Sequence, residues 1–72
     1  MPDRPIKTIA FDGRSRAVIV QRGDGWYSYR MQIVWEVNGQ MEWSPPGPYV
    51  GVYDSADTAE REVIAKKAAR LN

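Results

Sequence analysis

The chain has 72 residues and a net charge of +1, and it contains neither cysteine nor histidine. This composition excludes disulfides and nucleophile–imidazole pairs, and it removes the usual ligands of structural zinc. A single domain of this size buries only about 60% of the surface that its unfolded chain exposes. Small cores of this kind are supported by metals, disulfides or self-association, so we expect self-association.

Charge is unevenly distributed along the chain. Residues 1–30 carry six basic and three acidic side chains, residues 31–60 carry five acidic and no basic ones, and residues 61–72 carry four basic and one acidic. This segregation is either ordinary solvated charge or a set of self-complementary patches that suits a dimer. No segment reaches the roughly 18 apolar residues of a membrane span, and no signal-peptide pattern is present. We therefore expect a cytoplasmic protein without membrane contact.

The first third of the chain predicts two short strands. Residues 6–11 form the first, which ends at Asp12-Gly13, and residues 16–22 form the second. Residues 1–5 are expected to be the flexible start of one domain that covers residues 1–72.

The clearest strand follows a turn at Asp24-Gly25. From Trp26 to Val37, odd positions are apolar or aromatic and even positions are mostly polar. A period of two over twelve residues indicates a long strand with one buried face. A two-residue turn would place Val20 opposite Tyr29, and we expect that register. The side chains expected in the core are Tyr27, Tyr29, Met31, Ile33, Trp35 and Val37.

Asn38-Gly39 predicts the next hairpin, for which two registers are open. A two-residue turn leaves an exposed apolar patch made of Val34, Met41 and Trp43. A three-residue loop with a bulge instead pairs Trp35 with Met41 on one buried face. Because a slip of one residue turns every side chain to the other face, burial favours the bulged loop, and we predict it.

The C-terminal third predicts a loop, a short extended segment and a helix. Proline lacks the amide proton of a sheet ladder, so residues 44–48 must be a loop. Residues 49–53 are extended and able to pair as an edge strand. Ser55 caps a helix that runs from Ala56 to about Leu71. The predicted fold class is α+β, with an antiparallel meander of three to four strands packed against one C-terminal helix.

The carboxylates have structural explanations in turns and at the helix start. Glu36 and Glu42 are predicted on the outer face of the sheet, where no cleft would raise a carboxyl pKa. We therefore expect a protein that is not an enzyme, with no catalytic residue, no cofactor and no metal site.

Aromatic and arginine side chains on the outer face favour a protein-interaction module, because these residue types anchor many interfaces. We expect the partner to be a second copy of the chain or another protein. The candidate contact residues are Trp26, Arg30 and Val34 on the outer sheet face, and Ile64, Lys67 and Leu71 on a second helix stripe.

The stretch Gly51-Val52-Tyr53-Asp54-Ser55-Ala56-Asp57-Thr58-Ala59-Glu60 follows an antiparallel sheet and opens the helix. This order resembles the DNA-binding domains of plant ethylene-response factors and the arm-binding domains of tyrosine integrases. It is equally similar to small bacterial sheet-plus-helix proteins.

The resemblance to the DNA-binding domains implies a sheet that contacts nucleic acid through arginines. The candidate contacts are Arg14, Arg16, Arg22 and Arg30. The chain departs from that pattern, because residues 31–60 have no basic side chain to neutralise phosphates. Nucleic-acid binding is therefore the second hypothesis.

Overall fold

A computed structural model describes residues 3–71, except for the side chain of Leu71. Its elements are β1 (Arg4–Ala10), β2 (Ser15–Gln21), β3 (Tyr27–Val37), β4 (Gln40–Trp43), β5 (Val50–Tyr53) and α1 (Ala56–Leu71). The predicted α+β class, an antiparallel sheet with one C-terminal helix, is confirmed. β1 begins at Arg4, so Arg4 and Pro5 belong to a strand, while Met1 and Pro2 lie outside the described residues.

The sheet is antiparallel in the order β1-β2-β3-β4, and β5 pairs with the same strand as β4. β4 pairs with the end of β3, and β5 pairs with its start. The loop between them follows the same edge: the amide of Ser44 donates to the carbonyl of Ile33 at 2.7 Å, and that of Gly47 to the carbonyl of Met31 at 2.9 Å. Residues 40–53 therefore form one edge of the sheet, interrupted where the prolines lack donors.

The Asn38-Gly39 hairpin has a two-residue turn, so the predicted bulged loop is wrong. Val34 lies opposite Trp43, and Val37 lies opposite Gln40. Asn38 and Gly39 both have positive φ angles, 52° and 81°. Asparagine and glycine tolerate this left-handed conformation, and the resulting turn matches the twist of the two strands. Turn chemistry therefore decides this register.

The hairpin between β2 and β3 also differs from its prediction. The amide of Gly25 donates to the carbonyl of Arg22 at 2.9 Å, and Gly25 has a φ of 90°. This is a three-residue loop that ends in a left-handed glycine. It pairs Tyr29 with Ile19 rather than with Val20. The odd-numbered residues of β2 and β3 consequently share one face.

The core lies between that face and the helix. Its buried apolar residues are Ala17, Ile19, Tyr29, Ala59 and Val63. α1 packs on β2, β3 and β5 through positions four residues apart, which lie on one side of a helix. The predicted cap is confirmed, because the amide of Thr58 donates to Oγ of Ser55 at 3.1 Å. We call this side of the sheet the helix face.

The second half of β3 is not buried as the alternation predicted. Tyr29 is 3% exposed, as expected, but Ile33 is 54% and Trp35 is 44% exposed. The pairing of β2 with β3 ends at Ile33, and the main contacts of the helix are with β2, β3 and β5 rather than with β4. The hairpin of residues 34–43 therefore extends beyond the sheet as a two-stranded ribbon, which we call the arm.

The sheet is curled as a half-barrel, and its two edges meet on the side that carries Arg30, opposite the helix. Asp3 precedes β1 at one edge, and Tyr49 precedes β5 at the other edge. The hydroxyl of Tyr49 nevertheless donates to the carboxylate of Asp3. A flat sheet would separate those edges by about 14 Å, so the side on which they meet is the concave face. Within residues 3–71, no helix is both long and apolar enough to cross a membrane.

Candidate protein-interaction surface

The concave face presents the even-numbered side chains of β2 and β3 and the odd-numbered ones of β4. This follows from the pairing of Arg16 with Gln32, and of Val34 with Trp43. Along β2 and β3 the face carries Arg16, Val18, Val20, Ser28, Arg30, Gln32, Val34 and Glu36. Met41 and Trp43 continue it on β4.

One end of the concave face is closed by Arg30. Its Nε donates to the carbonyl of Gly47 at 2.6 Å, and its terminal nitrogens reach Pro46 and Asp3, each at 3.3 Å. The guanidinium lies 5.1 Å from the ring centre of Tyr49. The hydrogen bond from Tyr49 to the Asp3 carboxylate raises the pKa of the phenol. Arg30 is therefore fully engaged in holding β3 to the edges of the half-barrel.

The other end of the face, at the base of the arm, is built around Arg16. Its Nε donates to Oε1 of Gln32 at 2.8 Å, and its guanidinium lies 4.1 Å from the ring centre of Trp43. Gln32 is fixed in turn by donating to the carbonyl of Ser44 at 2.9 Å. Among residues 3–71 no carboxylate pairs with Arg16. Its charge is held in place but not compensated.

The arm carries an apolar patch beside Arg16, formed by Val34, Met41 and Trp43. Met41 is 62% exposed and Trp43 is 37% exposed. The two-residue turn places the three side chains on the concave face, and Val34 is half-buried. Ile33 and Trp35, on the other face of the arm, are exposed as well. We call Val34, Met41 and Trp43 the arm patch. Apolar side chains that cluster on a surface in this way are typical of a contact surface.

The charges on the arm separate between its two faces. Glu36 lies opposite Met41, toward the tip of the concave face. Glu42 lies opposite Trp35, on the helix face. The expectation that both glutamates share the outer face is therefore wrong, because it depended on the bulged register. The concave face is less acidic than the sequence implied.

The residues predicted on the outer sheet face are only partly brought together. Arg30 and Val34 lie on the concave face, but Arg30 is engaged by its own neighbours. Trp26 is 49% exposed beside the turn between β2 and β3, where its carbonyl accepts the amide of Arg22. Eight residues along a strand separate it from Val34, about 26 Å. Trp26 is thus not part of the arm patch.

The predicted helix stripe lies on the other side of the molecule. Ile64 and Lys67 line an open groove of about 540 Å³ between α1 and β1, with Ile9 at its base. A salt bridge of 2.8 Å between Lys7 and Glu60 crosses one wall. The side chain of Leu71, the third predicted member, lies outside the described residues.

Of the four arginines proposed for nucleic acid, three lie on the concave face. Arg22 pairs with Asp24 at 2.7 Å and lies 5.2 Å from the ring centre of Tyr49. Arg16 and Arg30 lie between that point and the arm, as described above. Arg14 is exposed in the loop before β2, where its carbonyl accepts the amide of Val34.

The sequence analysis does not place Arg16 beside Trp43, and it gives the exposed Met41 only for the two-residue turn, the register that it does not favour. The signal that would have found them is the Asn-Gly dipeptide, which favours a two-residue turn and so sets the face of β4. Within the described part of the chain, no group of three acidic side chains is placed to hold a metal ion. Comparison with protein-family models, with curated proteins and with solved structures finds no match to the chain.

Proposed function

We propose that this chain is a non-catalytic protein-interaction module that forms a homodimer through the arm patch. The observation that carries the proposal is the register of the β3–β4 hairpin. It gathers Val34, Met41 and Trp43 on one face of the arm, which the helix does not cover. Tryptophan, arginine and methionine are enriched at the centres of protein interfaces.

The surface area of the chain supports association. The chain exposes 4991 Å², whereas a monomer of its mass, 8.2 kDa, typically exposes about 4,500 Å². Its radius of gyration is 12.7 Å, against about 11 Å for a compact domain of this length. Burying the surplus of roughly 450 Å² on each of two chains would give a total of about 900 Å², which is the size of a weak, transient interface. For a contact of that class we expect a dissociation constant of about 10–100 µM.

A second copy fits the arm better than an unrelated partner, because the chain offers complementary charge. The arm carries Glu36 and Glu42 and no basic residue. The uncompensated Arg16 adjoins the arm patch on the same face. A dimer that packs two arms together places acidic and basic groups in reach of one another without any further molecule.

Contact with nucleic acid stays a prediction with less support. Asp3 pairs with Arg30, and Asp24 pairs with Arg22, so two of the three concave-face arginines are already neutralised. Nonspecific affinity for nucleic acid comes mainly from neutralising phosphates, and one uncompensated arginine provides little of it.

Sedimentation equilibrium from 10 µM to 1 mM tests the proposal. Wild type should approach the dimer mass across this range. Met41→Lys should raise the dissociation constant at least 30-fold, because it places a charge within the apolar contact, where losses of about 2 kcal/mol are typical of important interface residues. A wild-type chain that stays monomeric at 1 mM would overturn the proposal.

Two matched variants localise the contact. Trp35→Lys introduces the same charge on the other face of the arm, where the side chain is also exposed. Ile64→Lys introduces it in the groove beside the helix. Neither should change the dissociation constant more than about threefold. Loss of the dimer in Ile64→Lys alone would assign the contact to the helix stripe instead.

A further inference from the structure

We infer that Arg16 of one copy binds the carboxylate of Glu36 of the second copy, and that this reciprocal pair orients the two arms antiparallel. The inference rests on the proposed homodimer and specifies its geometry. Three observations support it. The terminal nitrogens of Arg16 are unpaired among residues 3–71, Glu36 lies on the same face, and Val34 lies midway between the two sites.

The concave face contains an occupied counterpart of the Arg16 site. Arg30 lies over the ring of Tyr49, 5.1 Å from its centre, and its guanidinium pairs with the carboxylate of Asp3 at 3.3 Å. Arg16 repeats this arrangement over Trp43 at 4.1 Å, with Nε already held by Gln32. Its terminal nitrogens have no hydrogen-bond partner among residues 3–71.

An arginine side chain that its neighbours already hold in place, as they hold Arg16, is suited to binding a carboxylate. The planar guanidinium presents two parallel N–H donors that match the two carboxylate oxygens. Gln32 and Trp43 fix the side chain before any partner arrives, so little conformational entropy is lost on binding. The indole also excludes water from one side of the guanidinium, which strengthens the interaction with a charge on the other side.

Glu36 is the carboxylate that a twofold axis brings to this site. On β3, Val34 lies midway between Gln32, which pairs with Arg16, and Glu36. When two concave faces pack with antiparallel strands around an axis at Val34, position 36 of one copy lies opposite position 32 of the other. Within the described part of the chain, Glu36 makes no ion pair.

The same twofold axis accounts for the fit of a second copy and for an assembly that ends at two copies. Rotation about Val34 lays each arm patch on the other, with both Arg16–Glu36 pairs at its borders. The arrangement is isologous, so it stops at a dimer. The pairs contribute orientation and specificity in addition to affinity, as charges at interface borders commonly do.

Charge reversal tests the inference by sedimentation. Arg16→Glu alone and Glu36→Arg alone should each weaken the homodimer at least tenfold, because each sets like charges opposite one another twice. An equimolar mixture of the two variants should form a heterodimer within about threefold of the wild-type affinity, since both pairs are then restored, one as in wild type and one with exchanged signs. Circular dichroism of each variant checks that it is folded.

The control is Glu42→Arg, which makes the same charge change on the other face of the arm. It should leave the homodimer within about threefold of wild type, and it should not associate preferentially with Arg16→Glu. Failure of the mixture to recover affinity, while wild type dimerises and Met41→Lys does not, overturns the Arg16–Glu36 pair and leaves the proposed dimer standing. A monomeric wild type overturns both.

Discussion

Gly51→Ala tests how β5 is held against the sheet. Gly51 has a φ of 70°, in the left-handed region that a residue with a Cβ adopts at a cost of about 1–2 kcal/mol. A Cβ at this position would also lie 2.7 Å from Cε2 of Tyr53 and closer still to the phenol oxygen. The ring of Tyr53 cannot move away freely, because it stacks on Tyr29 with centroids 6.5 Å apart.

Displacing the ring should cost a further 0.5–1.5 kcal/mol or so of aromatic contact. The total destabilisation is then about 1.5–3.5 kcal/mol, which lowers the melting temperature by roughly 6–28 °C in a domain of this length. Urea denaturation at about 0.5 µM, roughly twentyfold below the lower end of the expected dissociation constant, measures it with little contribution from association.

Gly39→Ala is the matched control. Its φ is 81°, but nothing lies within 4 Å of the added Cβ. It should therefore show the backbone cost alone, about 1–2 kcal/mol. If Gly51→Ala and Gly39→Ala destabilise equally, the contact with the Tyr53 ring contributes nothing. If Gly51→Ala leaves stability unchanged, the conformation assigned to β5 is wrong as well.

Two further predictions concern the helix and the loop before β2. Val63→Ala should destabilise the chain by about 2–3 kcal/mol, because it removes two methyl groups from a fully buried position; Val52→Ala, at an exposed position, should change stability by less than about 0.5 kcal/mol. The carboxylate of Asp12 accepts the amide of Arg14 and the hydroxyl of Ser15, which lowers its pKa below 3.8. A lowered folded-state pKa contributes stability above the unfolded value and loses it as pH falls through the folded value. The advantage of wild type over Asp12→Ala should thus be present at pH 7 and shrink below about pH 4 in urea titrations; an advantage that is constant down to pH 2 contradicts the assignment.

The elements of the fold could be predicted from the sequence because each has a local cause. The alternation from Trp26 to Val37 makes β3, the proline loop interrupts the edge, and Ser55 caps a helix without glycine or proline. These signals depend on residues close together in the chain. They do not indicate how much of the sheet the helix covers.

The register of the Asn38-Gly39 hairpin and the burial of the arm could not be predicted, because both depend on how much of the sheet the helix covers. Burial favours the bulged Asn38-Gly39 loop only if Trp35 faces a core. Tyr29, near the start of β3, is buried against the helix, whereas Ile33 and Trp35 are exposed, so no core is present there to oppose the two-residue turn. The preference of Asn38-Gly39 for a two-residue turn then sets the register of the hairpin. In that register Trp43 lies on the same face as Arg16. An alternating pattern indicates two different faces, but it does not show that either one is covered.

The arm and the Arg16 site depend on the same contacts. A two-stranded hairpin is marginally stable in water on its own. Here its base is fixed by the hydrogen bonds between Ile33 and Ser44, by Gln32 and by the stacking of Arg16 on Trp43. Those contacts also hold the guanidinium ready for a carboxylate. A partner that binds the arm therefore stabilises the contacts that position Arg16, and by mass action the folded chain becomes more stable as its concentration rises.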